Sequence, residues 1–110
     1  FSAQYAGHFV PAYTARYGSA PDPYGFAPYA YDAFRMLKAA IVKSAVPQLP
    51  TGTLQIGRQA LRNALYGTTG FTGLTGTLKC SPTGDCADIR TAIAVWEYSS
   101  SLGKFEKIWP

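Results

Sequence analysis

The chain has 110 residues, a formal net charge of +4, and 47% hydrophobic against 15% charged residues. That balance excludes a disordered polypeptide and allows one small domain with a limited core. No stretch reaches the ~18 apolar residues that a membrane span needs. The ten Lys and Arg residues are spread from Arg16 to Lys107, without the run or stripe that grips a phosphate backbone. Direct membrane insertion and a nucleic-acid partner are therefore not expected.

A first helix is predicted over His8–Tyr17, where Phe9, Tyr13 and Tyr17 recur every four residues and line one face. Pro11 fits only in its first turn, and Gly18 supplies the left-handed residue that ends it. Ser19–Tyr24, with Pro21 and Pro23, reads as a rigid extended connection. The second helix is predicted over Pro28–Ala45. Ala30, Ala33, Phe34, Leu37, Ala40, Ile41 and Ser44 form its inward face, widened by Met36, Ala39 and Val42. Asp32, Arg35, Lys38 and Lys43 fall on the water side, and Pro47 and Pro50 stop the helix. A third helix is predicted over Leu54–Tyr66, capped by Thr53 and ended by Gly67.

Beyond Gly67 the glycines at 70, 73 and 76 are too frequent for a helix. Thr77–Cys80 alternates like a short strand. Thr91–Tyr98 is rich in strand formers and predicts a strand buried on both faces. Ser99–Gly103 turns the chain back so that Lys104–Trp109 completes a hairpin. Between Cys80 and Cys86 lies a Ser-Pro-Thr-Gly-Asp turn that brings the two cysteines together, so a disulfide is the reading and two free thiols the alternative. Closing so short a loop contributes roughly 2 kcal/mol in the chain-entropy model, and implies an oxidising compartment. A zinc site would want about four ligands, and only His8 is left to join the cysteines.

Catalytic motifs are sparse. His8 is the single histidine and has no G-x-S-x-G nucleophile motif to serve. Asp85 and Asp88 sit around the cysteine turn rather than across a cleft. The glycine-rich stretch lacks the lysine and helix of a phosphate loop. No cofactor or metal is expected. What remains is an aromatic cluster at the entrance to the second helix: Tyr24, Phe26, Tyr29 and Tyr31. Such residues either close over a small ligand, whose carboxylate the helix N–H groups would favour, or staple the helix to a neighbour.

The run Phe26-Ala27-Pro28-Tyr29-Ala30-Tyr31-Asp32-Ala33-Phe34, followed by Leu37, Ala40 and Ile41, resembles a signature of type I periplasmic-binding proteins, among them the branched-chain amino-acid receptors. Upstream, Phe9-Val10-Pro11-Ala12-Tyr13 with Arg16-Tyr17-Gly18 and Pro21 is similar to a helix of that family. Downstream, the same holds for Leu61-Arg62-Asn63-Ala64-Leu65, Phe71-Thr72-Gly73-Leu74-Thr75-Gly76, Gly84-Asp85 and Gly103-Lys104-Phe105. Each motif alone is weak; the resemblance rests on their order along nearly the whole chain. It implies an α/β fold, the C-terminal fragment of a two-lobed protein with parallel-dominated sheets in three-layer lobes. Residues 1–70 would complete one lobe, 71–76 would be a hinge crossover, and 77–110 would complete the other. Phe26 falls where the family sets an aromatic against the ligand side chain, with Tyr24 and Tyr29 beside it. Cys80 departs from the family, standing near an acidic position.

The expected function is accordingly non-enzymatic. The chain would belong to the substrate-binding component of an ABC importer, taking a branched-chain or similar amino acid or a small organic acid in an interlobe cleft and delivering it to a permease. The location would be periplasmic or extracellular, with or without a lipid anchor on the precursor. Starting at Phe1 without a methionine or a signal-like segment, the sequence reads as a processed or truncated product. The alternatives are a sensory ligand-binding module of a signalling system, a small secreted hydrolase, and a stand-alone secreted interaction domain.

Overall fold

The computed structural model describes residues 1–22, 25–87 and 94–109. Its first element is a π-helical turn, Tyr5–Phe9, that runs directly into helix α1, Val10–Tyr17. The Val10 N–H reaches back to the Tyr5 carbonyl. Helical structure thus starts ahead of the predicted His8, and the wide turn falls just before Pro11, where a regular ladder would lose a bond anyway. Gly18 ends α1 as expected, at φ 77° with its N–H on the Thr14 carbonyl.

Helix α2 spans Phe26–Ser44. Gly25 enters it at φ 79°, and the Asp22 carboxylate accepts from the Ala27 N–H at 3.2 Å and, at 3.5 Å, from that of Phe26. Its buried residues are Pro28, Asp32, Met36 and Ala40, one every four positions, a single ridge of the helix surface. Met36 and Ala40 are buried as expected, and Ile41 and Ser44 are half-buried, but the rest of the predicted inward face is corrected. Ala30, Ala33, Phe34 and Leu37 are exposed, Phe34 at 66%, whereas Asp32, assigned to water, is 1% exposed. The reason is a competing partner: the turn at Gly73–Gly76 offers α2 two backbone N–H groups, and a carboxylate follows its hydrogen bonds.

After α2 the chain forms strand β1, Ala45–Gln48, which pairs antiparallel with strand β2, Thr53–Ile56. The third helix therefore begins later than predicted, as α3 over Arg58–Tyr66 with Gly57 rather than Thr53 at its N-cap. Thr53 and Ile56 are β-branched, and Pro47 sits in a two-stranded sheet where both strands are edges, so the pairing tolerates it. Of the residues whose spacing predicts an inward face on this helix, Leu61, Ala64 and Leu65 are partly buried, whereas Gly57 and Ala60 are exposed. Leu65 packs with Phe71 and Cys86 against the small core of Met36, Leu78 and Cys80.

Strands β3 (Phe71–Thr72), β4 (Thr77–Cys80) and β5 (Cys86–Ala87) form an antiparallel sheet in that order. Cys80 lies opposite Cys86 in the register, and the two are bonded as a disulfide. Phe71 lies opposite Leu78, and Gly73 N–H bonds the Gly76 carbonyl, so residues 71–76 fold back as a tight turn. These residues, expected as a hinge crossover, supply β3 and the turn of this hairpin. Strands β6 (Val95–Ser99) and β7 (Lys104–Trp109) pair as the predicted final hairpin, although residues 91–93 of the expected strand lie outside the described residues. Burial on both faces does not hold: every described residue of this hairpin's strands is exposed except the half-buried Ser99.

The chain is thus a mixture of helices and small antiparallel sheets. All its described strand pairings are antiparallel, in contrast to the parallel-dominated sheets expected. The radius of gyration is 18.0 Å, against about 13 Å for a compact domain of this length. The excess reflects an elongated shape, 67 × 37 × 18 Å along its principal axes.

Candidate ligand site

The first helical segment carries an aromatic ladder. Phe1, Tyr5, Phe9, Tyr13 and Tyr17 follow one another at four-residue spacing, with successive ring centroids 4.7, 5.8, 5.7 and 4.6 Å apart. Spacing of i, i+4 stacks side chains one turn above another, so the ladder follows from the sequence once the segment is helical. Across the gap, α2 contributes Tyr31, whose ring lies 5.1 Å from that of Phe9, and Tyr29, which meets Phe1 edge-on at 5.9 Å. These contacts hold the two helices apart by the width of their rings.

The space so framed is an open groove of about 660 Å³. Its aromatic walls are Phe9, Tyr13, Tyr17 and Tyr31; its polar lining is Gln4, His8, Arg16 and Arg35. Among the described residues no carboxylate lines it and two arginines do, and none of its described lining residues is a serine, threonine or cysteine for nucleophilic chemistry. Arg35 is the most constrained of the polar groups. Its guanidinium lies 5.6 Å from the Tyr31 ring centroid and 5.3 Å from that of Phe71, in cation–π range of both. Nη1 donates to the Thr72 carbonyl at a long 3.5 Å.

A second, smaller groove of about 330 Å³ lies on the other side of α2, lined by Tyr29, Ala33, Met36, Leu37, Leu65 and Leu78 and closed by the disulfide end at Cys86 and Ala87. Asp32 borders it, but its oxygens are already engaged. Oδ1 accepts from the Leu74 N–H at 2.9 Å; Oδ2 accepts from the Thr75 N–H at 2.8 Å and from its hydroxyl at 2.7 Å. Gly73 is required beneath this carboxylate, because a Cβ there would lie within 3.0 Å of it. Among the described residues no cluster of His, Cys, Asp and Glu is suited to a metal ion, and no helix is long and apolar enough to cross a membrane. No family model, curated protein or solved structure matches the chain.

The residues singled out from sequence are placed as follows. Phe26, at the first position of α2, is 72% exposed and lines neither groove. Tyr29 is 49% exposed and forms the rim of the smaller groove. Tyr24 lies outside the described residues. The helix N–H groups expected to attract a ligand carboxylate are served by Asp22. His8 lines the larger groove without a carboxylate or nucleophile beside it in that lining. Arg16, Arg35 and the role of Asp32 were not foreseen. A signal for Asp32 existed in the spacing Pro28, Asp32, Met36, Ala40, a four-residue ridge interrupted by one acid.

Proposed function

We propose that the chain forms part of the substrate-binding component of an ABC importer, a two-lobed α/β receptor of the type I periplasmic-binding kind. Its ligand is a branched-chain or similar amino acid, or a small organic acid, held between lobes and passed to a permease outside the cytoplasm. The observation that carries the reading is the uncovered apolar face of α2. Ala30, Ala33, Phe34 and Leu37 flank the buried ridge and are exposed, as is Phe26 at the helix N-terminus. An α/β lobe buries the apolar stripe of such a helix against a sheet, so exposed apolar residues on it call for a covering surface. The exposed hairpin β6–β7, with Val95, Trp96, Phe105 and Ile108 all in water, is a sheet surface awaiting the same kind of cover.

A second feature agrees. Two segments that carry the resemblance, Tyr31-Asp32-Ala33 and Phe71–Gly76, stand about forty residues apart and meet at one buried carboxylate. The disulfide suits an extracytoplasmic location. In this reading Phe26 and Tyr29 form an aromatic wall for the ligand side chain, while the ligand's charged groups are held by residues outside this chain, since Asp22 already serves the α2 N-terminus. Ligand bridging the lobes shifts the population toward the closed form that the transporter reads.

The test is a thermal-shift screen of the natural polypeptide that carries this sequence, against leucine, isoleucine, valine, phenylalanine and small aromatic acids. A ligand at a hundred times its Kd stabilises by about 2.7 kcal/mol. One selective stabiliser, weakened by Phe26→Ala, supports the receptor; a flat response across the panel sinks it.

A further inference from the structure

We propose that the cationic aromatic groove between α1 and α2 is itself a binding site for a planar aromatic carboxylate. The proposal stands apart from the receptor reading, because the groove is framed by the N-terminal helical segment and α2 within this chain. The juxtaposition of ring faces with guanidinium groups sets the chemistry. Phe9, Tyr13 and Tyr31 present tilted rings to a shared space, which favours a flat conjugated guest able to stack or meet them edge-on. The groove's volume of about 660 Å³ is in the range of small-molecule sites.

Charge narrows the class further. Arg16 and Arg35 line the groove and, among the described residues, no carboxylate does, so an anion is preferred over a neutral or cationic guest. Arg35 lies within cation–π distance of two rings and, among the described residues, makes one long hydrogen bond, to the Thr72 carbonyl, which leaves N–H donors for a guest. A guanidinium fixed in this way matches a carboxylate with two parallel hydrogen bonds at little further cost in ordering. Arg16, in the last turn of α1, adds a second cation. Phosphate is less well served than carboxylate, because the backbone N–H groups at the head of α2 are taken by Asp22.

The experiment is isothermal titration of the full chain with indole-3-acetate, alongside indole and hexanoate as probes lacking the charge and the ring respectively. Indole-3-acetate binds, and each comparator binds at least about tenfold more weakly. Arg16→Gln and Arg35→Gln each weaken the acid about tenfold, while Lys107→Gln, on the distant hairpin, leaves it unchanged. Arg16 is exposed in α1, so its replacement keeps the fold even if Arg35→Gln does not. Equal binding of indole or of hexanoate overturns the proposal, as does a loss at Lys107→Gln equal to that at Arg16→Gln. So does the absence of any heat with indole-3-acetate.

Discussion

The turn at Gly73–Gly76 and the hairpin Val95–Trp109 are both antiparallel reversals of chain, and they are held by opposite means. At the turn, one carboxylate of α2 takes three hydrogen bonds from Leu74 and Thr75, Leu74 is buried, and the following strand feeds Leu78 and Cys80 into the core. At the hairpin, the backbone ladder joins Val95–Ser99 to Lys104–Trp109 with one irregularity between Val95 and Trp96, yet its side chains are mostly exposed and pair across the strands, as in the edge-to-face pair Tyr98 and Phe105. The contrast separates two sources of order. A ladder alone leaves a hairpin marginal in water, whereas a buried polar group with all its partners in place fixes one arrangement of the chain around it.

The largest expected effect breaks the first of these regions. Asp32→Ala removes the shared acceptor and strands the N–H groups of Leu74 and Thr75 in a buried site, at about 1–3 kcal/mol for each unpaired donor. A total loss of about 4 kcal/mol is expected in urea unfolding followed by circular dichroism, with Asp32→Asn losing about half as much because one oxygen is retained. Gly73→Ala attacks the same junction from the other side: its Cβ would overlap the carboxylate, at about 2–3 kcal/mol. Hydrogen exchange sharpens the comparison. The Thr75 amide exchanges slowly in the native chain and at the rate of the hairpin amides in Asp32→Ala. A Thr75 amide unaffected by the substitution would show that the turn is held by something else.

That junction also marks the boundary of what the sequence disclosed. The helical segments were legible from their periods, the end of α1 from Gly18, the last hairpin from its two strand-forming runs and turn, and the disulfide from its five-residue turn. The face of α2 was not legible, because two apolar stripes lie on it and pattern alone ranks the longer one as inward. The shorter stripe, Pro28, Asp32, Met36 and Ala40, wins because Asp32 brings a hydrogen-bonding partner from about forty residues downstream, a long-range fact without local trace. The start of α3 failed for a similar reason. Residues 54–56 suit a helix by spacing, but pairing with Ala45–Gln48 satisfies their backbone first. At the ligand site, the stacking of Phe9, Tyr13 and Tyr17 followed from their spacing, whereas Arg35 between Tyr31 and Phe71 depended on where β3 came to rest.

Two smaller effects grade the same body. Replacing both Cys80 and Cys86 by serine costs about 2 kcal/mol through the unfolded chain alone, and more if the Cys80 side chain, buried beside Met36 and Leu78, is poorly replaced. Unfolding with and without reductant gives the same figure for the native chain. Gly18→Ala, at φ 77°, costs about 1 kcal/mol by forcing a side chain into the left-handed region. It shortens α1 without reaching the turn, so Thr75 exchange stays slow. A loss of protection there would mean that the aromatic ladder and the Asp32 junction form one cooperative unit.

The smallest expected effect falls on the hairpin, and it discriminates best between readings. Trp96 is 57% exposed, so Trp96→Ser in the 110-residue chain changes stability by no more than about 0.5 kcal/mol. If the hairpin is a sheet surface covered within a two-lobed receptor, the same substitution in the natural polypeptide removes a buried aromatic and costs about 3–5 kcal/mol. Phe34→Ser behaves likewise for α2, because Phe34 too is exposed here and would be covered in such a receptor. Measuring both variants in both contexts by urea unfolding separates the cases. A large loss in the short chain contradicts the exposure of these side chains. A small loss in both contexts leaves the hairpin and the α2 face uncovered in the natural protein, and removes the observation on which the receptor reading stands.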